Sequence, residues 1–130
     1  MNQRKEQVYA GLGHLFYSIA ASDGRVSPEE SAQLKKLVRN QWMPVEAGQD
    51  EAGTDLAYYI EIGFDHANDA GLGADKAFER FKEVHAGQAG LFDASTRNMV
   101  LRTAQAVADA FGNRSQHERR ILEQLKEVLQ

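Results

Sequence analysis

The stretch from Ala20 to Glu30, AASDGRVSPEE, constrains the fold most, because it ends one amphipathic segment and begins the next. Gly24 suits a backbone position with positive φ, where a side chain would be strained. Ser27 is a good helix N-cap, Pro28 fits the first helical position, and Glu30 completes a capping box with Ser27. The stretch therefore predicts a sharp corner between two helices.

The same corner gathers three carboxylates, those of Asp23, Glu29 and Glu30. Asp23, a following glycine and Glu30 match the second half of a calcium-binding EF-hand loop. The two leading ligand positions of such a loop fall on Ile19 and Ala21, which excludes a complete EF-hand. Two interpretations stay open: a reduced divalent-ion site with oxygen ligands, or a turn whose carboxylates only cap and favour the helix start.

The run IAASDGRVSPEESAQLKKLV resembles the signature of the TerB-like domain, the tellurite-resistance protein B family, over residues 16–38. The resemblance implies an all-helical domain with two related halves, acidic residues near the turn and divalent-metal binding. It also implies a role in bacterial stress response. Oxygen-only ligands would suit calcium, magnesium or manganese better than zinc.

The length, cysteine content and charge of the chain limit the classes of protein to which it can belong. A chain of 130 residues is long enough for one domain with a proper core, so we expect a single domain over 1–130. With no cysteine, disulfides, thiolate metal sites and thiol redox chemistry are excluded. The net charge of −4 argues against a nucleic-acid partner and fits cations or basic proteins better.

The N-terminal segment has a weak likeness to a signal peptide, because the apolar stretch 8–21 follows Arg4 and Lys5. His14 interrupts that stretch, however, and its apolar residues recur with helical spacing. We predict an amphipathic helix of a cytoplasmic protein. No run approaches the ~18 apolar residues of a membrane span, so we expect no membrane insertion.

Apolar residues recur at helical spacing along the chain, and no run alternates with the period of a strand. We predict an all-α domain of about six helices, over 4–21, 28–41, 54–70, 74–86, 94–111 and from 116 onward. Asp93 is the predicted N-cap of the fifth helix, and a break is predicted at Gly71 to Gly73. Residues 45–53 are predicted to be a loop, and Gly63 is expected to allow a close helix crossing. The predicted core stripe of the first helix is Val8, Leu12, Leu15, Phe16, Ile19 and Ala20, with His14 off the stripe and exposed.

An internal repeat appears when the chain is shifted by 88 residues, which aligns the last two helices with the first two. Gly24 then meets Gly112 and Ser27 meets Ser115, so a second corner and a second capping box with Glu118 are predicted. Phe111 stands where the first corner has Asp23, which suggests a role for Asp23 beyond the turn. Asp109 is a candidate carboxylate ligand from the second corner.

Three functions follow, in order of preference. The first is a TerB-like stress-response module that binds a divalent ion through Asp23, Glu29, Glu30 and Asp109. The second is an interaction module whose acidic corner meets a basic protein partner without an ion. An enzyme ranks last, because the chain has no cysteine nucleophile, no Gly-x-Ser-x-Gly elbow and no His-Glu-x-x-His run. Asp65, His66 and Asp69 could form a metal or acid–base cluster, although a polar helix end is the preferred interpretation.

Overall fold

The computed structural model describes residues 3–22, 24, 26–42, 58–111 and 116–129. Within these ranges it contains six α-helices and no strand, which confirms the all-α prediction. The helices are α1 (Gln3–Ala20), α2 (Pro28–Trp42), α3 (Tyr58–Asp69), α4 (Ala74–Gly87), α5 (Ala94–Phe111) and α6 (Gln116–Val128), with a short 3-10 helix at Ala89–Leu91. The helix ends agree with the predicted ones to within a residue or so wherever both are described.

Local sequence signals explain several of these ends. Asp93 caps α5 as predicted, because its Oδ1 accepts a hydrogen bond from the Thr96 backbone N–H at 2.8 Å. The predicted break at Gly71 separates α3 from α4, and Gly71 has a φ of 65°, a conformation that suits glycine. The predicted start of the third helix near Thr54, the predicted loop 45–53 and the second corner at 112–115 lie outside the described residues.

Helix α1 is the centre of the domain. It packs most extensively on α3 and α4, and it also contacts α5 and α6. Every member of its predicted core stripe is buried. The remaining helices add their own apolar faces, so that one continuous core includes Leu34, Val38, Trp42, Ile60, Phe64, Phe78, Phe81, Phe92, Val100, Val107, Ile121 and Leu125.

The crossing of α1 and α3 depends on two glycines. A methyl group at Gly13 would overlap the backbone of Ile60 and Phe64, and one at Gly63 would overlap the backbone of Ala10. The backbones of α1 and α3 therefore approach each other directly, without side chains between them. The close crossing predicted at Gly63 is confirmed, and Gly13 is its counterpart on α1.

Helix α2 is attached to its neighbours by polar contacts as well as by its apolar face. The Trp42 indole N–H donates to Thr103 Oγ1 of α5 at 2.9 Å, and both side chains are buried. On the other side, Arg39 donates two hydrogen bonds, of 2.7 and 2.9 Å, to the buried carboxylate of Glu61 on α3. The Trp42–Thr103 contact places α5 against α2, and α1 also contacts α6. The helix pair α1 and α2 and the helix pair α5 and α6 therefore pack together.

Candidate binding site at the first helical corner

The first corner has the predicted geometry wherever it is described. Gly24 has a φ of 137°, and its N–H donates to the Ala21 carbonyl at 3.1 Å. The capping box is present: the Ser27 N–H donates to Glu30 Oε1 at 2.9 Å, and the Glu30 N–H donates to Ser27 Oγ at 3.1 Å. The corner is thus closed by its own hydrogen bonds.

A cavity of about 550 Å³ opens between this corner and the connection from α3 to α4. We call it the corner groove. Its lining combines small and apolar side chains with a few polar ones: Tyr17, Ala21, Gly24, Val26, Asn68, Asp69, Gly71, Leu72, Gly73 and Ala74. Among the described residues of this lining, Asp69 is the charged one, and it is exposed.

The two walls of the groove are held at a fixed separation. The Tyr17 hydroxyl donates to the Leu72 carbonyl at 2.8 Å, which joins α1 to the connection between α3 and α4. The Tyr17 ring also packs edge-on against the Phe64 ring, at 5.6 Å between centroids. Since Tyr17 is buried, this hydrogen bond lies at the edge of the core and links the two walls of the groove.

The four predicted metal ligands do not come together within the described residues. Asp23 lies outside them. Glu29 is exposed on the first turn of α2, whereas one carboxylate oxygen of Glu30 already accepts the cap bond from Ser27. Asp109 is exposed on α5, and its Oδ1 accepts a hydrogen bond from Gln105 at 3.0 Å. Among the residues that the structure describes, no three His, Asp or Glu side chains are grouped to hold an ion.

His117 reaches the first corner from α6. Its Nδ1 lies 2.9 Å from the Ser22 carbonyl, and its Nε2 lies 2.7 Å from Asp75 Oδ1 at the start of α4. A carbonyl and a carboxylate both accept hydrogen bonds, so both ring nitrogens donate when the ring is an imidazolium. We call this arrangement the His117 clamp, because it joins α6, the end of α1 and α4.

The charged form of His117 is favoured by its surroundings. The hydrogen bond to Asp75 raises the pKa of His117 above its usual value, burial opposes the rise, and the Ser22 carbonyl adds to it. In the 88-residue repeat His117 corresponds to Glu29, a position that indicates no contact with Asp75. Asp75 is 42 positions away in the chain, and no local spacing indicates the pairing.

The prediction that His14 is exposed is wrong. His14 is buried, with 9% of its surface accessible. The reason is that α1 is packed by other helices on several sides, so a residue beside the main apolar stripe is also covered. Its Nδ1 lies 2.9 Å from the Ala10 carbonyl, and its Nε2 lies 3.3 Å from Nδ1 of His66 on α3.

Burial lowers the pKa of His14, and the Ala10 carbonyl partly opposes this. Electrostatic repulsion from the neighbouring His66 ring and from Arg80 lowers the pKa of His14 further. The predicted cluster of Asp65, His66 and Asp69 is divided among other contacts. Asp65 pairs with Lys35 Nζ at 2.6 Å, Asp69 lines the corner groove, and His66 faces His14.

No family model, curated protein or solved structure matches this chain. In the described parts of the chain, no helix is both long and apolar enough to cross a membrane.

Proposed function

We propose that the protein is a TerB-like, non-catalytic binding module whose corner groove receives a positively charged group of a protein partner. The observation that supports this most is the groove itself, an open cavity of about 550 Å³ whose mixed lining includes the apolar side chains of Val26 and Leu72 and a carboxylate at Asp69. The TerB-like assignment rests on the sequence of the corner, residues 16–38.

The chemistry of the lining suits a lysine or arginine side chain. Such side chains carry an apolar stem and a charged head. The stem would lie along Val26 and Leu72, and the head would meet Asp69 at the rim. Glu29 and Glu30 follow Val26 closely in the chain, and the protein carries a net charge of −4, so a basic partner would also be attracted over a longer range.

The walls of the groove are held by contacts within the chain, which favours binding. The Tyr17–Leu72 hydrogen bond and the glycine turns at Gly24 and Gly71 already fix its walls. A preformed site avoids much of the entropy cost of ordering side chains and loops on association.

The test is an NMR titration of the protein with N-acetyl-arginine amide and N-acetyl-lysine amide. We expect the backbone amide signals of Val26 and Leu72 to shift, the shifts to weaken at high salt, and Asp69→Asn to remove most of the effect. Glu123→Gln is the matched control, because it removes one negative charge from an exposed position of α6 outside the groove. Equal shifts in wild type and Asp69→Asn would contradict the proposal.

A divalent ion is the other cation that the corner could hold, with Asp23, Glu29, Glu30 and Asp109 as ligands. Thermal unfolding of metal-stripped protein with calcium, magnesium or manganese separates the two occupants. A ligand at ~100 times its dissociation constant stabilises the folded state by about 2.7 kcal/mol. If an ion stabilised the wild type but not Asp23→Asn, and the amino-acid amides gave no response, the corner would bind an ion and not a basic partner.

A further inference from the structure

The glycine-mediated crossing of α1 and α3 sets two imidazole rings side by side. His14 directly follows Gly13, and His66 lies three residues after Gly63. Because the helix backbones approach so closely here, His14 Nε2 and His66 Nδ1 lie 3.3 Å apart, with a tilt of 57° between the ring planes. The crossing therefore brings together two nitrogen ligands that are 52 positions apart in sequence.

The other nitrogen of His14 has a fixed role. Nδ1 faces the Ala10 carbonyl at 2.9 Å, and a carbonyl can only accept, so Nδ1 carries the proton. In the neutral ring, Nε2 is then left with a lone pair directed toward His66. A histidine that donates one N–H to a backbone carbonyl and offers the other nitrogen is the usual arrangement of a metal-bound imidazole.

We propose that His14 Nε2 and His66 Nδ1 together bind a borderline transition-metal ion such as zinc. Two Zn–N bonds of about 2.0–2.1 Å at a tetrahedral angle hold their nitrogens about 3.3–3.4 Å apart, which is the separation found here. Imidazole nitrogens favour zinc, copper and nickel over calcium and magnesium. Since His66 is exposed, water can complete the coordination of the ion.

The ion takes the place of a shared proton. Without metal, His66 Nδ1–H donates to the lone pair of His14 Nε2. When the ion binds, His66 gives its Nδ1 proton to solvent and takes a proton from solvent at Nε2. Starting from the neutral ring, His66 keeps one proton and changes only its tautomer, whereas His14 keeps its Nδ1–H throughout.

The surroundings limit the affinity. Arg80 on α4 faces the pair with a positive charge that opposes a cation, and Asp65 is engaged by Lys35. Within the described ranges no third His, Asp or Glu joins the two histidines to form a group of three. We therefore expect weaker binding than at a structural site with four protein ligands, and Arg80→Gln should strengthen it.

The first test is calorimetric titration of the metal-stripped full chain with zinc chloride. We expect one zinc per chain and at least a tenfold loss of affinity in His66→Gln, a change at an exposed position that leaves the core intact. His85→Gln is the matched control, because His85 packs on the Phe92 ring away from the pair, at 4.7 Å between centroids. Its zinc affinity should stay within about twofold of the wild-type value.

The proposal would be overturned if His66→Gln bound zinc with wild-type affinity. It would also be overturned if His117→Gln lost as much zinc affinity as His66→Gln.

The second readout is the imidazole nitrogen NMR spectrum, in which zinc should convert His66 from the Nδ1–H to the Nε2–H tautomer. An unchanged His66 signal at saturating zinc would also overturn it. Asp69→Asn should leave zinc affinity unaltered, so the zinc site and the proposed function of the corner groove are tested independently.

Discussion

His14 and His117 make the same first contact and differ in the second. In both, Nδ1 lies 2.9 Å from a backbone carbonyl, that of Ala10 for His14 and that of Ser22 for His117. The remaining nitrogen of His14 faces another imidazole at 3.3 Å inside a helix crossing, whereas that of His117 faces the Asp75 carboxylate at 2.7 Å. The second partner and the degree of burial therefore decide the charge of the ring.

Because their pKa values shift in opposite directions, His14 and His117 have different chemical roles. Burial lowers the pKa of His14 and favours the neutral ring, which keeps a lone pair that can bind an ion. The carboxylate raises the pKa of His117 and favours the charged ring, which can only donate. At the crossing, His14 thus has a nitrogen that can bind a metal ion. In the His117 clamp, the charged imidazolium of His117 joins three helices beside the corner groove.

The largest effect is expected at the crossing. Gly13→Ala should destabilise the protein by about 2 kcal/mol or more, since the new methyl group overlaps backbone atoms that no side-chain rotation can move away. The intrinsic preference of a helix for alanine, up to about 1 kcal/mol, would act in the opposite direction and be outweighed. Thermal unfolding should show a fall in Tm of about 6 °C or more.

Gly87→Ala is the matched control for that variant, because a methyl group there meets nothing within 4 Å. Its Tm should stay close to the wild-type value. A neutral Gly13→Ala would mean that α1 and α3 do not approach as closely as described, and the histidine pair would lose its structural basis.

A smaller effect is expected for His14→Ala. Removing a buried ring leaves a cavity and should cost about 1–3 kcal/mol. His66→Ala, at the exposed end of the same pair, should cost less than about 0.5 kcal/mol. Denaturant unfolding of both variants measures the asymmetry. Equal losses would indicate that the contact between the rings, rather than the burial of His14, stabilises the crossing.

The smallest effect is expected at the His117 clamp, and it should depend on pH. His117 is partly exposed, so the pair contributes less than about 1 kcal/mol. Because the folded pKa is raised, the contribution is fully present below the ordinary histidine value of about 6.5 and is lost as pH rises through the raised value. The stability difference between wild type and His117→Gln should shrink as the pH rises above about 6.5.

Asp75→Asn tests the cause of that pH dependence. It removes the carboxylate that contributes most to the raised pKa and keeps a side chain of the same shape. In that background, His117→Gln should have little further effect at any pH. A full pH-dependent loss in the double variant would assign the dependence to another group.

Local sequence patterns predicted the features that depend on neighbours in the chain. The capping box at Ser27, the cap at Asp93 and the apolar stripe of α1 follow from spacing alone, and all three are confirmed. The burial of His14 did not follow, because it depends on how many helices surround α1. The His117–Asp75 contact could not be predicted either, because it depends on the approach of two helices that are remote in sequence. The role predicted for Asp23 stays a prediction, since Asp23 lies outside the described residues.

A pH titration of the metal-free protein, followed by imidazole nitrogen NMR, tests the central contrast most directly. We predict that His117 keeps protons on both ring nitrogens to a higher pH than His14 does, and that the neutral His14 ring carries its proton on Nδ1. A His117 that loses its second proton at a lower pH than His14, or a neutral His14 protonated on Nε2, would contradict the opposite roles assigned to the two rings.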